Sequence, residues 1–169
     1  YYYWNESRDQ YATWMGHRSL AKLDYASPAL RERMVTGADA PLRRYLEAPF
    51  SLDGWRIDVA NMTGRYGDAD HHGEVFRAVR DVVAAINPDA AVVAEHFHDA
   101  AQDVRTGAWD AVMNYAGFTR PVWQWLTTPG STLPYLEAPV PVRPRSGIEV
   151  AQTMRAVAAS MPWSVVARS

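Results

Sequence analysis

Three residues have the types and spacing to do acid–base or nucleophilic chemistry: Arg56, Asp58 and Glu95. Arg56 and Asp58 stand two apart in the stretch Leu52–Asn61, LDGWRIDVAN. On a strand that spacing puts both side chains on one face. A permanent cation beside Asp58 favours the ionised carboxylate that a nucleophile needs, although a structural ion pair has the same spacing. Glu95 follows a second apolar run, Ala90–Ala94, and lies 37 residues beyond Asp58. If the two runs are neighbouring parallel strands, about 4.8 Å separates their backbones. Their carboxyl groups can then approach the ~5–5.5 Å used by retaining glycosidases for a nucleophile and an acid/base. One acid has an arginine beside it and the other ends an apolar strand, so their pKa values should be pushed apart.

The elements that would hold these residues follow from local pattern. Ser27-Pro28 reads as an N-cap followed by a proline in the first helical turn, opening a helix over Ala29–Val35. A second helical stretch is expected over Leu42–Leu46, before a strand at Gly54–Val59. Apolar residues at Val75, Val79, Val82, Val83 and Ile86 form a helical stripe over Glu74–Ile86, which Asn87-Pro88 ends. Ala90–Ala94 has the unbroken apolar character of a strand buried on both faces. A short helix at His98–Thr106, a third strand at Trp109–Tyr115 and helices at Thr119–Thr127 and Gly147–Ser160 complete the regular elements. In the last helix Val150, Met154, Val157 and Met161 should share a side. Tyr1–Asp24, Asn61–Gly73 and the proline-rich Thr128–Arg145 read as loops. Strands alternating with helices predict an α/β fold with a parallel sheet, whose chemistry collects at the carboxyl ends of its strands.

Composition narrows the function classes. The chain has 169 residues, 48% hydrophobic and 21% charged, with a net charge of −2. Nothing there selects a nucleic acid or a membrane surface as partner, and no apolar run approaches the ~18 residues of a membrane span. Seven Trp and nine Tyr supply surfaces for packing or for stacking on sugars. Without cysteine there is no disulfide or thiolate metal site. The compartment is not fixed by this, and the cytoplasm is favoured. The chain opens Tyr-Tyr-Tyr-Trp without an initiator Met, as expected of a processed chain or a piece of a longer one.

At the two carboxylates the sequence resembles a known family. GWRIDVAN, with Asp58, is similar to the motif ending the fourth barrel strand of the α-amylase family, glycoside hydrolase family 13, and AEHFHD, with Glu95, to the motif ending the fifth. Gly16–Pro28, GHRSLAKLDYASP, resembles the end of that family's inserted loop domain as found in neopullulanases, cyclomaltodextrinases and maltogenic amylases. Met113–Leu126 resembles the sixth strand and its helix. The resemblance implies the central part of a (β/α)8 TIM barrel, about three βα units covering strands 4 to 6, in residues 25–169, with a loop-domain remnant in residues 1–24. It implies Asp58 as nucleophile, Glu95 as general acid/base, and Arg56 as the partner orienting Asp58. Asn61 and Met62 fall where the family contacts sugar on the leaving-group side, Met62 replacing an expected glutamate. His96 and His98 belong to the fifth-strand motif and are expected to line the sugar site. Tyr115 and Phe118, at the end of the third strand, suit either sugar stacking or packing.

The implied activity is retaining hydrolysis of α-1,4-glucans such as maltodextrin or cyclodextrin. The implied partner is an α-glucan oligosaccharide, with a homodimer or other parts of the barrel also to be considered. No cofactor is required; the family leaves calcium open for a complete enzyme, and no metal ligands are assigned here. Asp68, Asp70, His71 and His72 lack the spacing of a metal site and read as a solvated loop. The Lys22 and Asp24 pair reads as a loop-shaping device. No counterpart of the family's third-strand or seventh-strand motifs is found, and three strands cannot close a barrel of about 250 residues. The chain alone is therefore expected to be weakly active or inactive. The competing class is an amylase-like fold kept as a non-catalytic carbohydrate-binding or interaction module.

Overall fold

The structure, a computed structural model, describes residues 1–135 and 138–169. The helices are α1 (Pro28–Arg31), α2 (Pro41–Arg44), α3 (His72–Ile86), α4 (Ala101–Arg105), α5 (Arg120–Leu126), α6 (Gly147–Ser160) and α7 (Trp163–Val166). The strands are β1 (Gly54–Ile57), β2 (Arg65–Tyr66), β3 (Ala69–Asp70), β4 (Ala91–His96), β5 (Ala111–Asn114), β6 (Thr132–Tyr135) and β7 (Ala138–Pro141). The parallel sheet runs in the order β1-β4-β5, and α3 and α4 lie on the connections between its strands. This is the α/β alternation expected of part of a (β/α)8 barrel. The chain divides into two compact units, Tyr1–Val93 and Ala94–Ser169, with the boundary inside β4.

In the first unit the Ser27 hydroxyl accepts from the Leu30 amide at 3.3 Å, capping α1, which runs on into a wider helical turn at Glu32–Thr36. Helix α3 buries Val75, Val79 and Val83 of the expected stripe, together with Phe76. It begins at His72, two residues early, because the Asp70 carboxylate accepts from the His72 amide at 3.0 Å and satisfies one of the free donors of the first turn. In the second unit α6 has the bounds its pattern predicts. A reciprocal cap starts it: the Ser146 amide donates to Glu149 Oε2 at 2.8 Å, and the Glu149 amide to Ser146 Oγ at 3.3 Å.

Three expected loops carry more order than their sequences announce. Tyr1–Asp24 folds on itself through isolated antiparallel bridges, Tyr2 with Leu23, Trp4 with Tyr11 and Thr13 with Ala21. Asn61–Gly73 contains the hairpin β2–β3, with Arg65 opposite Asp70. Thr128–Arg145 contains the antiparallel pair β6–β7, with Leu133 opposite Val140, while residues 136 and 137 lie outside the described residues. Pairs of two to four residues are too short to show a period of two, and the prolines of the last stretch argue against a strand until an edge position admits them.

Half-buried ionisable groups in the first unit give its stability an alkaline signature. Burial pushes the Tyr25 phenol up, and burial together with the Asp24 carboxylate does the same for Tyr3. Burial pushes Lys22 down. An unfolded phenol loses its proton near pH 10, whereas the folded one keeps it, so each tyrosine withdraws stability as pH rises past about 10. Lys22 acts oppositely. Between its lowered folded pKa and about pH 10.4 its proton is released on folding, so stability from that group rises with pH across that window. Urea midpoints followed from about pH 9 to 11 should therefore fall in the upper part of the range, and Tyr25→Phe should flatten the fall. An unchanged profile in Tyr25→Phe would contradict the assignment.

Candidate active site

Strand β1 places Arg56 and Trp55 on opposite faces. The Trp55 indole N–H donates to the Leu42 carbonyl at 3.1 Å, and its ring meets Tyr45 edge-on at 5.9 Å, so it faces the helices as alternation predicts. On the other side the Arg56 guanidinium donates to the Asp58 carboxylate. The expected pairing is present. Asp58 nevertheless has 76% of its side chain exposed, so water screens the pair and the contact orients the carboxylate more than it stabilises the fold.

The backbone turns sharply straight after Asp58. Val59 sits at φ 42°, ψ 44°, a left-handed conformation that is a genuine outlier for a β-branched residue and costs about 1–3 kcal/mol. What offsets the strain is a set of bonds onto the turn Ala60–Met62. The Met62 amide donates to the Val59 carbonyl at 3.0 Å, Lys22 Nζ donates to the Met62 carbonyl at 2.9 Å, and the Arg65 guanidinium donates to the Asn61 carbonyl at 3.0 Å. Lys22 thus does its work across to Met62. Asp24 accepts from the Ala26 amide at 3.0 Å. Asn61 is half-buried in the turn. The pattern Arg-x-Asp carries no sign of this strain, which only backbone geometry reveals.

In the second unit Glu95 is only 7% exposed and lies one residue inside the end of β4, which continues to His96. The environments of the two acids differ in the expected sense, Asp58 solvated beside a cation and Glu95 enclosed. His98 is exposed in the loop after β4. Tyr115 follows β5 and opens a wide turn, Tyr115–Thr119, capped by Asn114 Oδ1 accepting from the Gly117 amide at 2.9 Å. Its ring packs on Phe97 with centroids 4.9 Å apart, whereas Phe118 is exposed.

His96 corrects an expectation. Instead of lining an open sugar site it is buried, with Nε2 3.1 Å from the Asp103 carboxylate on α4. The physical reason is alternation: if Glu95 leaves one face of β4, His96 must leave the other, towards the helix. A polar residue on the helix-facing side of an apolar strand, with an aspartate seven residues on, was the signal available in the sequence. Of the loop residues, Asp70 caps α3 and pairs with Arg65 at 3.3 Å, and His71 lies 3.9 Å from Glu74. Among the described residues no group of three or more His, Asp or Glu side chains could hold a metal ion, and no helix is long and apolar enough to cross a membrane.

Against known proteins, the family model for the α-amylase catalytic domain matches residues 1–137. A cyclomaltodextrinase of Thermoanaerobacter pseudethanolicus is 45% identical over 96 residues, covering 57% of this chain and 14% of that protein. A cyclomaltodextrinase of Geobacillus thermopakistaniensis is 34% identical over 110 residues, covering 65% of this chain and 16% of that protein. The debranching enzyme of Nostoc punctiforme superposes with a TM-score of 0.68 at 28% identity, over 91% of this chain and 29% of that one. The chain thus spans about a sixth of the curated relatives it matches.

Proposed function

The chain belongs to the α-amylase family, and from that premise we propose that it carries the nucleophile and the acid/base of a retaining α-glucan hydrolase. The observation that carries this reading is the contrast between the two carboxylates of the family's strand-end motifs, Asp58 solvated beside the Arg56 guanidinium and Glu95 enclosed in β4. Asp58 attacks the anomeric carbon and forms a glycosyl ester as the glycosidic bond breaks. Its electron pair passes to the leaving oxygen, which takes the proton of Glu95. Glu95, now a carboxylate, takes a proton from water. The resulting hydroxyl oxygen bonds to the anomeric carbon and releases Asp58. Two inversions give net retention. Arg56 holds the Asp58 carboxylate aimed; Asn61, His98 and Tyr115 contact sugar.

The preferred substrates are α-1,4-glucans, a reading supported by the cyclomaltodextrinase names of the relatives. Because three strands leave a barrel unclosed, turnover by this chain alone is slow beside the roughly 10 per second of a median enzyme. The test is prolonged incubation of the chain with maltodextrin or cyclodextrin, with products followed by proton NMR. Slow release of α-anomeric ends is expected. A β-anomeric product overturns the retaining mechanism, a rate near that of a median enzyme overturns the slow-turnover claim, and glucan binding without any conversion favours a non-catalytic module.

A further inference from the structure

Glu95 and His96 are consecutive in β4, so their side chains leave opposite faces of the strand. The His96 ring is 5% exposed, and its one hydrogen-bond partner among the described residues is Asp103, itself 7% exposed, across 3.1 Å at Nε2. An Nε2 facing a carboxylate at this distance suits the Nε2–H tautomer, in which the ring donates to Asp103. Asp103 belongs to α4, a helix of five residues, too short to hold itself together without tertiary contacts. Between β4 and α4 the chain has only residues 97–100, fastened at the far end where Asp99 Oδ1 accepts from the Ala101 amide at 2.9 Å. An apolar pair at these positions would fill the space but leave the strand free to slide. A hydrogen bond between two fixed atoms sets a register, the best-attested use of buried polar pairs.

We infer that His96 and Asp103 are a buried positioning pair for Glu95: by tying the end of β4 to α4 they fix the height and direction at which the Glu95 carboxyl is presented. This rests on Glu95 being the acid/base proposed above. His96 touches no reacting atom in this role and acts through the strand. His98, on the same short segment, is positioned by the same tie.

The test uses the full chain, labelled with 15N and 13C, and two variants. His96→Gln retains a donor at the position of Nε2, and the double variant His96→Leu with Asp103→Leu removes both polar partners together, so that no buried charge is stranded. The imidazole signal missing in His96→Gln identifies His96. It should have the Nε2–H tautomer signature, and a Nδ1–H tautomer or the averaged signal of an exposed ring overturns the pair. The Glu95 carboxyl 13C resonance should stay in place in His96→Gln and move in the double variant. No movement in the double variant overturns the positioning role. In glucan hydrolysis the double variant should lose about 10- to 100-fold in kcat with KM within about twofold, while His96→Gln keeps most of the rate. Equal losses in the two variants also overturn it. If the unaltered chain shows no hydrolysis at all, the hydrolytic reading falls and the two spectroscopic outcomes alone decide whether the pair exists and holds Glu95.

Discussion

Asp58→Asn and Glu95→Gln should behave differently towards α-glucosyl fluoride, although both should abolish hydrolysis of maltodextrin. On maltodextrin, Asp58→Asn removes the bond-forming atom and should cost more than about 10³-fold, while Glu95→Gln removes proton donation to a poor leaving group, worth about 10²–10⁴-fold. Fluoride leaves without a proton. Glu95→Gln should therefore complete the first displacement on the fluoride and stall, because no base activates the water of the second. Mass spectrometry of the chain should find one glucosyl residue on Asp58, and added azide, a nucleophile that needs no deprotonation, should discharge it as α-glucosyl azide. Asp58→Asn should show neither labelling nor azide product. The readout is a single turnover, so it does not depend on the chain being fast. Labelling of Asp58→Asn, or a β-configured azide, would remove the nucleophile assignment. Labelling absent from both variants, with the unaltered chain active, would remove the acid/base assignment as well.

The parts of this chain that could be read from sequence are those where a local rule is strong enough to survive packing. The α3 stripe Val75, Val79, Val83 is one, because a period near 3.6 has only one way to bury itself. The Ser27-Pro28 start of α1 and the position of Trp55 are others, set by capping chemistry and by strict alternation. Legibility failed where partners lie far apart in sequence. Lys22 reaches the Met62 carbonyl 40 residues on, and nothing in either neighbourhood announces it. It failed also where two rules competed at one residue. His96 stands in a motif that points to sugar, yet the pleat of β4 sends it towards α4. The resemblance described the motif as a block, while the pleat acts residue by residue. The strained Val59 lay beyond reach because a β-branched residue after a strand predicts more strand, and only tertiary bonds on the turn override that preference.

Gly54→Ala should be among the most destabilising single-methyl changes in the chain and should disable Asp58 with it. At Gly54 a Cβ would stand 2.2 Å from the Ala91 carbonyl oxygen and 2.9 Å from the Ala91 nitrogen, both backbone atoms that cannot rotate away. The Ala91 amide donates to the Asp53 carbonyl at 2.9 Å, so the glycine lies beside a bond that joins the starts of β1 and β4. Relief requires the two strands to part. Overpacking of this kind costs about 3 kcal/mol, a large share of a total of about 5–15 kcal/mol, and corresponds to a Tm lower by roughly 6–12 °C for a chain of this size. Gly67→Ala is the control. Its φ of 55° penalises any side chain, but no atom lies within 4 Å of the added carbon, so only the backbone preference of about 1–2 kcal/mol is lost. Thermal unfolding followed by circular dichroism should rank Gly54→Ala well below Gly67→Ala, and equal losses would show that the approach of β1 to β4 is not what requires glycine. Since Arg56 and Asp58 are two and four residues further along the same strand end, a displaced β1 carries them out of register. Gly54→Ala should accordingly lose glucosyl labelling of Asp58 at temperatures where it is still folded, whereas Gly67→Ala should keep it.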